Sequence, residues 1–402
     1  MEENDGSFWT QAGETLLDEM VALRRAIHAE PELGLDTPRT TEKAKKALAG
    51  LPLEILEGPS TSGFVAVLRG PANGRKVLLR GDMDALPLVE ETGLSFASGI
   101  VGVMHACGHD THTAMLAGAA KALCANRARL AGTVMFMFQP GEEGFHGARF
   151  MMEDRLLDPL PDAAFALHVS PNFPSGVFAG RGGPLLAAAD IFDITITGKG
   201  GHASQPHDAL DPIPVACEIV LALQVMITRS VPAFDPVVLT VARIQSGTTD
   251  NIIPERAELE GTIRSFSEAS RALVHEGVKR VARHVAAAHG TEAAVEITPG
   301  FPVTICDARA AALAKTVAER LFGNGAWISM RTPVMPAEDF SYVLQKVPGA
   351  MAFLGAAPEG GDFKTCCGLH SNRMLLDERA MARGMAMHCA FAEAFLNDGF
   401  AA

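Results

Sequence analysis

Apolar residues recur at helical spacing over residues 12–29 (Leu16, Leu17, Met20, Leu23, Ile27), which predicts a helix that stops before Pro31, where HAEPELG makes a turn. A second, amphipathic helix is expected over 40–49. The period then changes. Residues 63–69 (GFVAVLR) and 76–80 (KVLLR) are short apolar runs separated by PANG, a hairpin-like turn signal. Two further runs, 133–138 (TVMFMF) and 163–167 (AAFAL), read as buried strands, and helical segments at 111–127 and 147–156 lie between the strands. Strand and helix in alternation predict an α/β unit on a mostly parallel sheet.

From residue 189 the texture is different. ADIFDITITGKGGHASQPH alternates apolar and polar positions, as a half-exposed antiparallel strand does. A helix (214–228), strands at 237–245 and 256–266, a helix (267–289) and a strand near 293–298 follow, a pattern of four antiparallel strands with two helices. After Gly300 the α/β character returns with helix 308–322, strand 350–354 and helix 378–396. A chain of 402 residues exceeds what one core usually holds. The expected organisation is therefore a catalytic domain made of 1–187 and 300–402, with an α+β domain inserted at 188–299.

Composition narrows the class. Hydrophobic residues make up 48% and charged residues 20%, yet no stretch reaches the roughly eighteen uninterrupted apolar residues of a membrane span, so none is predicted. The opening MEENDGSFWTQ lacks the basic-then-apolar pattern of a secretory signal, which makes the cytoplasm the expected location. Seven cysteines (107, 124, 217, 306, 366, 367 and 389) are odd in number and without framework spacing, which suits a reducing compartment. Cys366 and Cys367 read as loop thiols with no assigned role. A net charge of -13 with no Lys/Arg run speaks against nucleic acid as a partner. An anionic small substrate would then need a local positive centre.

Chemistry concentrates in residues 103–116, VMHACGHDTHTAML. Cys107 and His109 sit two apart across Gly108, in what reads as a loop leading into a buried helix at 113–125. Taken alone, Cys107 fits a small core residue better than a ligand, since free cysteine is among the most buried residue types. The strands change that balance. The run 76–80 empties into GDMDALP with Asp82 and Asp84, the run 133–138 into QPGEEG with Glu142 and Glu143, and the run 163–167 into His168. Ligand sites of open α/β sheets form outside the carboxyl ends of strands, so the three endings have a geometric reason to be functional.

The motifs GDMDALP, GVMHACGHDTHTAML, FQPGEEG, GKGGHASQPHDALDP, DNIIP, GTIRSF, MPAEDF and LHSNR occur in this order across nearly the whole chain. In this the sequence resembles the di-metal aminoacylase and hippurate hydrolase family, which includes plant auxin-conjugate hydrolases and belongs to a larger group with carboxypeptidases and dipeptidases. The resemblance implies that Cys107, His109, Glu143, His168 and His370 ligate two divalent metal ions, with Cys107 bridging as a thiolate. Zinc, manganese, nickel or cobalt suits such donors better than magnesium or calcium. It implies Glu142 as general acid/base and His202 of GKGGHAS as stabiliser of the oxyanion. Arg264 of GTIRSF and Asn251 of DNIIP would hold a substrate carboxylate, and the inserted domain would serve as lid and dimerisation domain in a homodimer or higher homo-oligomer.

In the wider superfamily the position of Asp82 is often a histidine ligand; here Asp82, Asp84 and Asp110 are expected to orient ligands instead. His105, His112 and His207 are expected to be structural. The activity implied is metal-dependent hydrolysis of N-acyl-L-amino acids, with no nucleic-acid or membrane partner. A dipeptidase or carboxypeptidase on the same scaffold is the rival reading. A non-catalytic metal-bound relative would have no need of a base such as Glu142 beside its ligands.

Overall fold

The computed structural model describes residues 5–365 and 367–401. It divides into two compact units, Met1–Leu185 with Ile305–Thr332 and Asp339–Ala402, and Leu186–Thr304 with Pro333–Glu338. The second unit thus also takes up residues 301–304 and Pro333–Glu338 from beyond position 300, where the sequence pattern placed the return to the first.

The first unit is built on an eight-stranded sheet. Its strand order is Glu54–Glu57, Phe64–Arg69, Gly132–Gln139, Arg75–Asp82, Ala163–Ser170, Gly349–Gly355, Phe178–Gly180, Trp327–Ser329. The four strands from Gly132–Gln139 to Gly349–Gly355 run parallel and form the centre. Their side chains are buried on both faces, which is why they read as continuous apolar runs without alternation. The helices Asp5–His28, His109–Ala125 and Ala380–Asp398 pack against one another over this sheet.

One expectation is corrected here. The runs on either side of PANG are not hairpin partners, because Gly132–Gln139 lies between them, antiparallel to Phe64–Arg69 and parallel to Arg75–Asp82. A turn signal reports local geometry only. Both strands bury nearly every residue after their first or before their last, so each needs neighbours that cover it completely, and a two-stranded ribbon would leave them half exposed.

The second unit carries a four-stranded antiparallel sheet in the order Val237–Ser246, Arg256–Ser265, Ala188–Thr197, Glu292–Pro299. Phe192, Ile194 and Ile196 point from one face into a core closed by Val215, Ile219 and Leu223 of helix Pro212–Ser230 and Val274 and Val278 of helix Glu268–Ala288. Four antiparallel strands and two helices match the expected α+β pattern. Among the described residues, Pro212–Ser230 has the length and apolarity to cross a membrane, but its buried stripe belongs to this core.

Asp190 is the buried polar tie of this unit. Its carboxylate accepts from Arg271 at 2.6 and 2.9 Å, from His275 Nε2 at 2.7 Å and from the Gly300 amide at 3.0 Å. Burial pushes its pKa up, but the bonds from His275 and Arg271 outweigh it and hold the group at about 2. A depressed acid contributes its full stability above its ordinary pKa of 3.8 and loses it as the pH falls toward 2. Asp190→Asn should therefore be less stable than wild type near neutral pH and lack the acid-dependent fall between those values. Urea denaturation followed by circular dichroism along that pH range measures it, and parallel profiles for the two proteins would count against the assignment.

Candidate metal centre

Asp82 and Gln139 are register partners at the ends of neighbouring parallel strands, so the GDMDALP and QPGEEG turns leave the sheet side by side. Asp84 locks them together. Its two carboxylate oxygens accept from the backbone N–H groups of Glu142 and Glu143 at 2.9 and 3.0 Å. Its carbonyl oxygen lies 2.9 Å from Nδ1 of His109 and takes that proton. The tautomer so fixed leaves His109 Nε2 with a free lone pair.

His109 is the first residue of helix His109–Ala125 and not part of the preceding loop, as the apolar run at 113–125 had suggested. Gly108 caps the helix in the left-handed region at φ 85°, and a Cβ there would stand 2.5 Å from Val169 Cγ2. Glycine alone allows the chain to turn from Cys107 into the helix at this point. His168, near the end of its strand, has Nδ1 2.7 Å from the Val169 carbonyl, which turns Nε2 toward Cys107. His370 arrives from a distant turn, held by its amide bond to the Ala106 carbonyl at 2.8 Å.

These positions make two triads that share one sulfur. The ligand atoms of Cys107, His109 and His168 lie within 4.8 Å of one another, and so do those of Cys107, Glu143 and His370. Cys107 Sγ is 3.4 Å from His168 Nε2 and 3.3 Å from His370 Nε2, and His370 Nε2 is 3.3 Å from Glu143 Oε1. His109 Nε2 and Glu143 Oε1 are buried without a hydrogen-bond partner. Such orphaned atoms are rare and costly in a folded protein, and a cation among them satisfies both. The thiolate, imidazole and carboxylate donors therefore fit divalent metal ions of the borderline type.

The electrostatics agree. Burial raises the Cys107 thiol, with Glu143 adding to the effect against His109 and His370. Burial alone would lower His109, yet Asp82 and Cys107 hold it well above its usual range. The bond to Cys107 and the charge of Glu143 beside it raise His370 to about 10. The site concentrates negative charge and gathers protons in response, the field for which a divalent cation competes.

The other expected residues are distributed as follows. Asp82 bonds Arg80 and, at 2.5 Å, His112 Nδ1, while its Oδ2 stands 3.6 Å from His109 Nε2, so it does not fix the outer nitrogen of a ligand. His112 is satisfied on both sides, since Nε2 accepts from the Val169 amide at 2.8 Å. Asp110 turns away from the ligands toward Arg24 and His28. Buried His105 is held neutral, its pKa lowered to about 3 by burial. Cys367 is exposed, and Cys366 lies outside the described residues.

In the second unit, the Gly201–His202 and Ile252–Ile253 strands pair, bringing His202 and Asn251 to one cavity of about 540 Å³. His202 Nδ1 accepts from the Ser204 amide at 3.1 Å, so Nε2 carries the proton. His207 is exposed beside Asp208. Arg264 is half-buried and, among the described residues, forms no ion pair.

Sequence reasoning missed the network behind the site. Arg80, fully buried, donates to Asp82, to Gln139 at 2.8 Å and to Asp339 at 3.1 Å, and Gln139 also bonds Asp339. A charged residue ending the apolar run KVLLR was the available signal.

A buried sulfur shared by two ligand triads, with a further carboxylate beside it at the carboxyl edge of a parallel sheet, defines a metal-dependent hydrolase. The chain belongs to Peptidase family M20/M25/M40, whose family model matches residues 78–394. It is 37% identical over 385 residues to thermostable carboxypeptidase 1 of Saccharolobus solfataricus, covering 94% of this chain and 96% of that one. It is 39% identical over 337 residues to N-acetylcysteine deacetylase of Bacillus subtilis, covering 84% and 88%. Among solved structures, a dinuclear metal-binding M20 peptidase of Bacillus subtilis superimposes with a TM-score of 0.82 at 34% identity, covering 96% of this chain and 99% of that one. The chain is a metal-dependent amidohydrolase that binds divalent metal.

Because both triads use Cys107, Cys107→Ser should weaken metal retention by more than about tenfold, the lower bound for losing even an outer partner of a ligand. Elemental analysis after dialysis reads this, and wild-type metal content in the variant would return Cys107 to the core.

Proposed function

We propose that this enzyme hydrolyses the amide bond of N-acyl-L-amino acids, releasing a carboxylic acid and a free amino acid. The observation that carries the reading is Glu142, a buried carboxylate within 4.8 Å of the ligand atoms of His109 and Glu143 that belongs to neither Cys107 triad. Once the five donors are counted, a base is left over.

Cys107, His109, Glu143, His168 and His370 would hold two metal ions. When bound, these supply an acidified water and polarisation of the acyl carbonyl. Glu142 accepts the proton that the water gives up as its oxygen joins the acyl carbon, and passes it to the amine nitrogen as the C–N bond breaks. Glu143, committed as a ligand, is a poor base, so the adjacent pair divides the work. Asp84 keeps the two apart by holding both backbone amides. We assign His202, through its Nε2–H, to the developing oxyanion. Arg264 and Asn251 are assigned to the substrate carboxylate, for which the planar guanidinium is suited and which the acidic chain otherwise repels.

A carboxypeptidase substrate presents the same carboxylate to Arg264, and the Saccharolobus solfataricus relative bears that name. A screen of acetyl, benzoyl and longer acyl amino acids against dipeptides separates the two. We further propose a homodimer through the second unit. Leu221 and Val225 are 68% and 60% exposed on one side of helix Pro212–Ser230, next to an edge strand, Val237–Ser246, paired on one side only among the described residues. An acidic chain whose described cysteines are all free suits the cytoplasm.

Glu142→Gln should keep its metal and lose about 10²–10⁴ in kcat, the usual share of a general base. Turnover near wild type would remove Glu142 from the mechanism. Arg264→Ala should lower kcat/KM on N-acyl amino acids by about 10–100-fold, the worth of a charge-assisted hydrogen bond, and leave substrate carboxamides nearly untouched. Equal losses on both would end its role as the carboxylate anchor.

A further inference from the structure

The segment RRAIHAEPELG, residues 24–34, takes no part in the reaction, yet its Arg24 and His28 are buried and bonded to Asp110 of the helix that begins with His109. His28 is 1% exposed and faces carboxylates on both sides. Its Nδ1 lies 2.8 Å from Asp110 Oδ2 and its Nε2 lies 3.2 Å from Glu90 Oε1. Two acceptors demand two N–H donors, so the ring is an imidazolium. Burial works against that charge, but the bonds to Asp110 and Glu90 raise its pKa to about 9. Asp110 Oδ2 also accepts from Arg24 Nε at 3.0 Å, and Arg24 is tied in turn to Glu378 at 2.8 Å.

Asp110 is the second residue of the helix, and with Gly108 already turned left-handed no other side chain caps this end. The bonds to Asp110 anchor the first turn from the side opposite to those that tie His109 to Asp84 and His112 and Thr113 to Asp82, so they bear on where the adjacent His109 stands. The same segment reaches the neighbouring turn, since the Glu32 carbonyl accepts from the Ala85 amide at 2.8 Å, next to Asp84. We propose that His28 is a positioning residue of the metal centre: anchored by Glu90, it clamps Asp110 together with Arg24 so that His109 Nε2 stays in ligand geometry. This rests on His109 being a metal ligand.

The two ring nitrogens can be separated by substitution. In His28→Asn the amide nitrogen falls near Nδ1 and keeps the bond to Asp110; in His28→Gln it falls near Nε2 and keeps only Glu90. Co²⁺ titration of the metal-free full chain, followed by visible absorption, together with thermal melting, reads the difference. His28→Gln should bind Co²⁺ at least about tenfold more weakly than wild type, and His28→Asn within about threefold, by analogy with outer-shell partners of metal ligands. Wild-type affinity in His28→Gln, or equal losses in both variants, overturns the proposal. Should His28→Gln not fold, Asp110→Asn replaces it with the same expected loss, and wild-type affinity there overturns the proposal as well. His109→Ala is the control for the underlying reading. If it binds Co²⁺ like wild type, His109 is no ligand and the clamp has nothing to position; if it loses Co²⁺ while His28→Gln does not, only the clamp fails.

Discussion

Two buried atoms of the first unit, His109 Nε2 and Glu143 Oε1, have no hydrogen-bond partner among the described residues, although Asp82 and His370 stand close to them. Leaving polar atoms unsatisfied in a protein interior costs stability that a fold keeps only where something else compensates. A divalent cation fits as that compensation, and the surrounding bonds fix the directions of the donor atoms. His109 and His168 both give their Nδ1 protons to backbone carbonyls, of Asp84 and Val169, so the lone pairs that remain face the Cys107 sulfur. Asp84 spends both carboxylate oxygens on the amides of Glu142 and Glu143. The two imidazoles are thus aimed by main-chain carbonyls, and the two glutamates are held at their amides by one buried carboxylate.

Why this geometry is rigid follows from the sheet. Gly132–Gln139, Arg75–Asp82 and Ala163–Ser170 run parallel and adjacent, so their carboxyl ends open on one edge. Arg80, Gln139 and Asp339 then cross-link that edge below the ligands with charge-assisted bonds in a fully buried layer. Removing any one of the three would leave a buried charge or amide unpaired, a larger penalty than the bond itself. The acid at position 82 is bound into this layer through Arg80 while its other oxygen meets His112.

Much of this was legible in the chain. Apolar runs ending in Asp82, Glu142 and His168 located the site before any coordinates, because parallel strands buried on both faces announce themselves as unbroken runs. The order of motifs supplied His370, which no spacing rule could connect to Cys107. What could not be read was pairing. PANG looked like a hairpin turn because turn chemistry is local, whereas the strand that separates its two arms lies more than sixty residues away. Which partners Asp110 would have could not be read either: neighbouring residues on a helix point in different directions, and beside His109 it bonds Arg24 and His28. Arg80 was passed over because a single charge at the end of an apolar strand is ordinary until its three partners are known.

The second unit shows the same logic applied to a cation. Arg264 and Ala189 are register partners on adjacent strands, which places the Arg264 position beside that of Asp190. Burial pulls the Arg264 pKa down while Asp190 pushes it up, so the two groups feel one another. An acid so placed would ordinarily capture the guanidinium. It does not: Asp190 is the register partner of Ile263 and so leaves the sheet on the opposite face from Arg264, and Arg271, His275 and the Gly300 amide occupy both its oxygens. Asp190 thus supports the positive charge of the half-buried Arg264 from a distance without pairing with it. In a chain with a net charge of -13, a positive centre keeps its field only where the carboxylates nearest to it are engaged elsewhere, as Asp190 is by a second arginine.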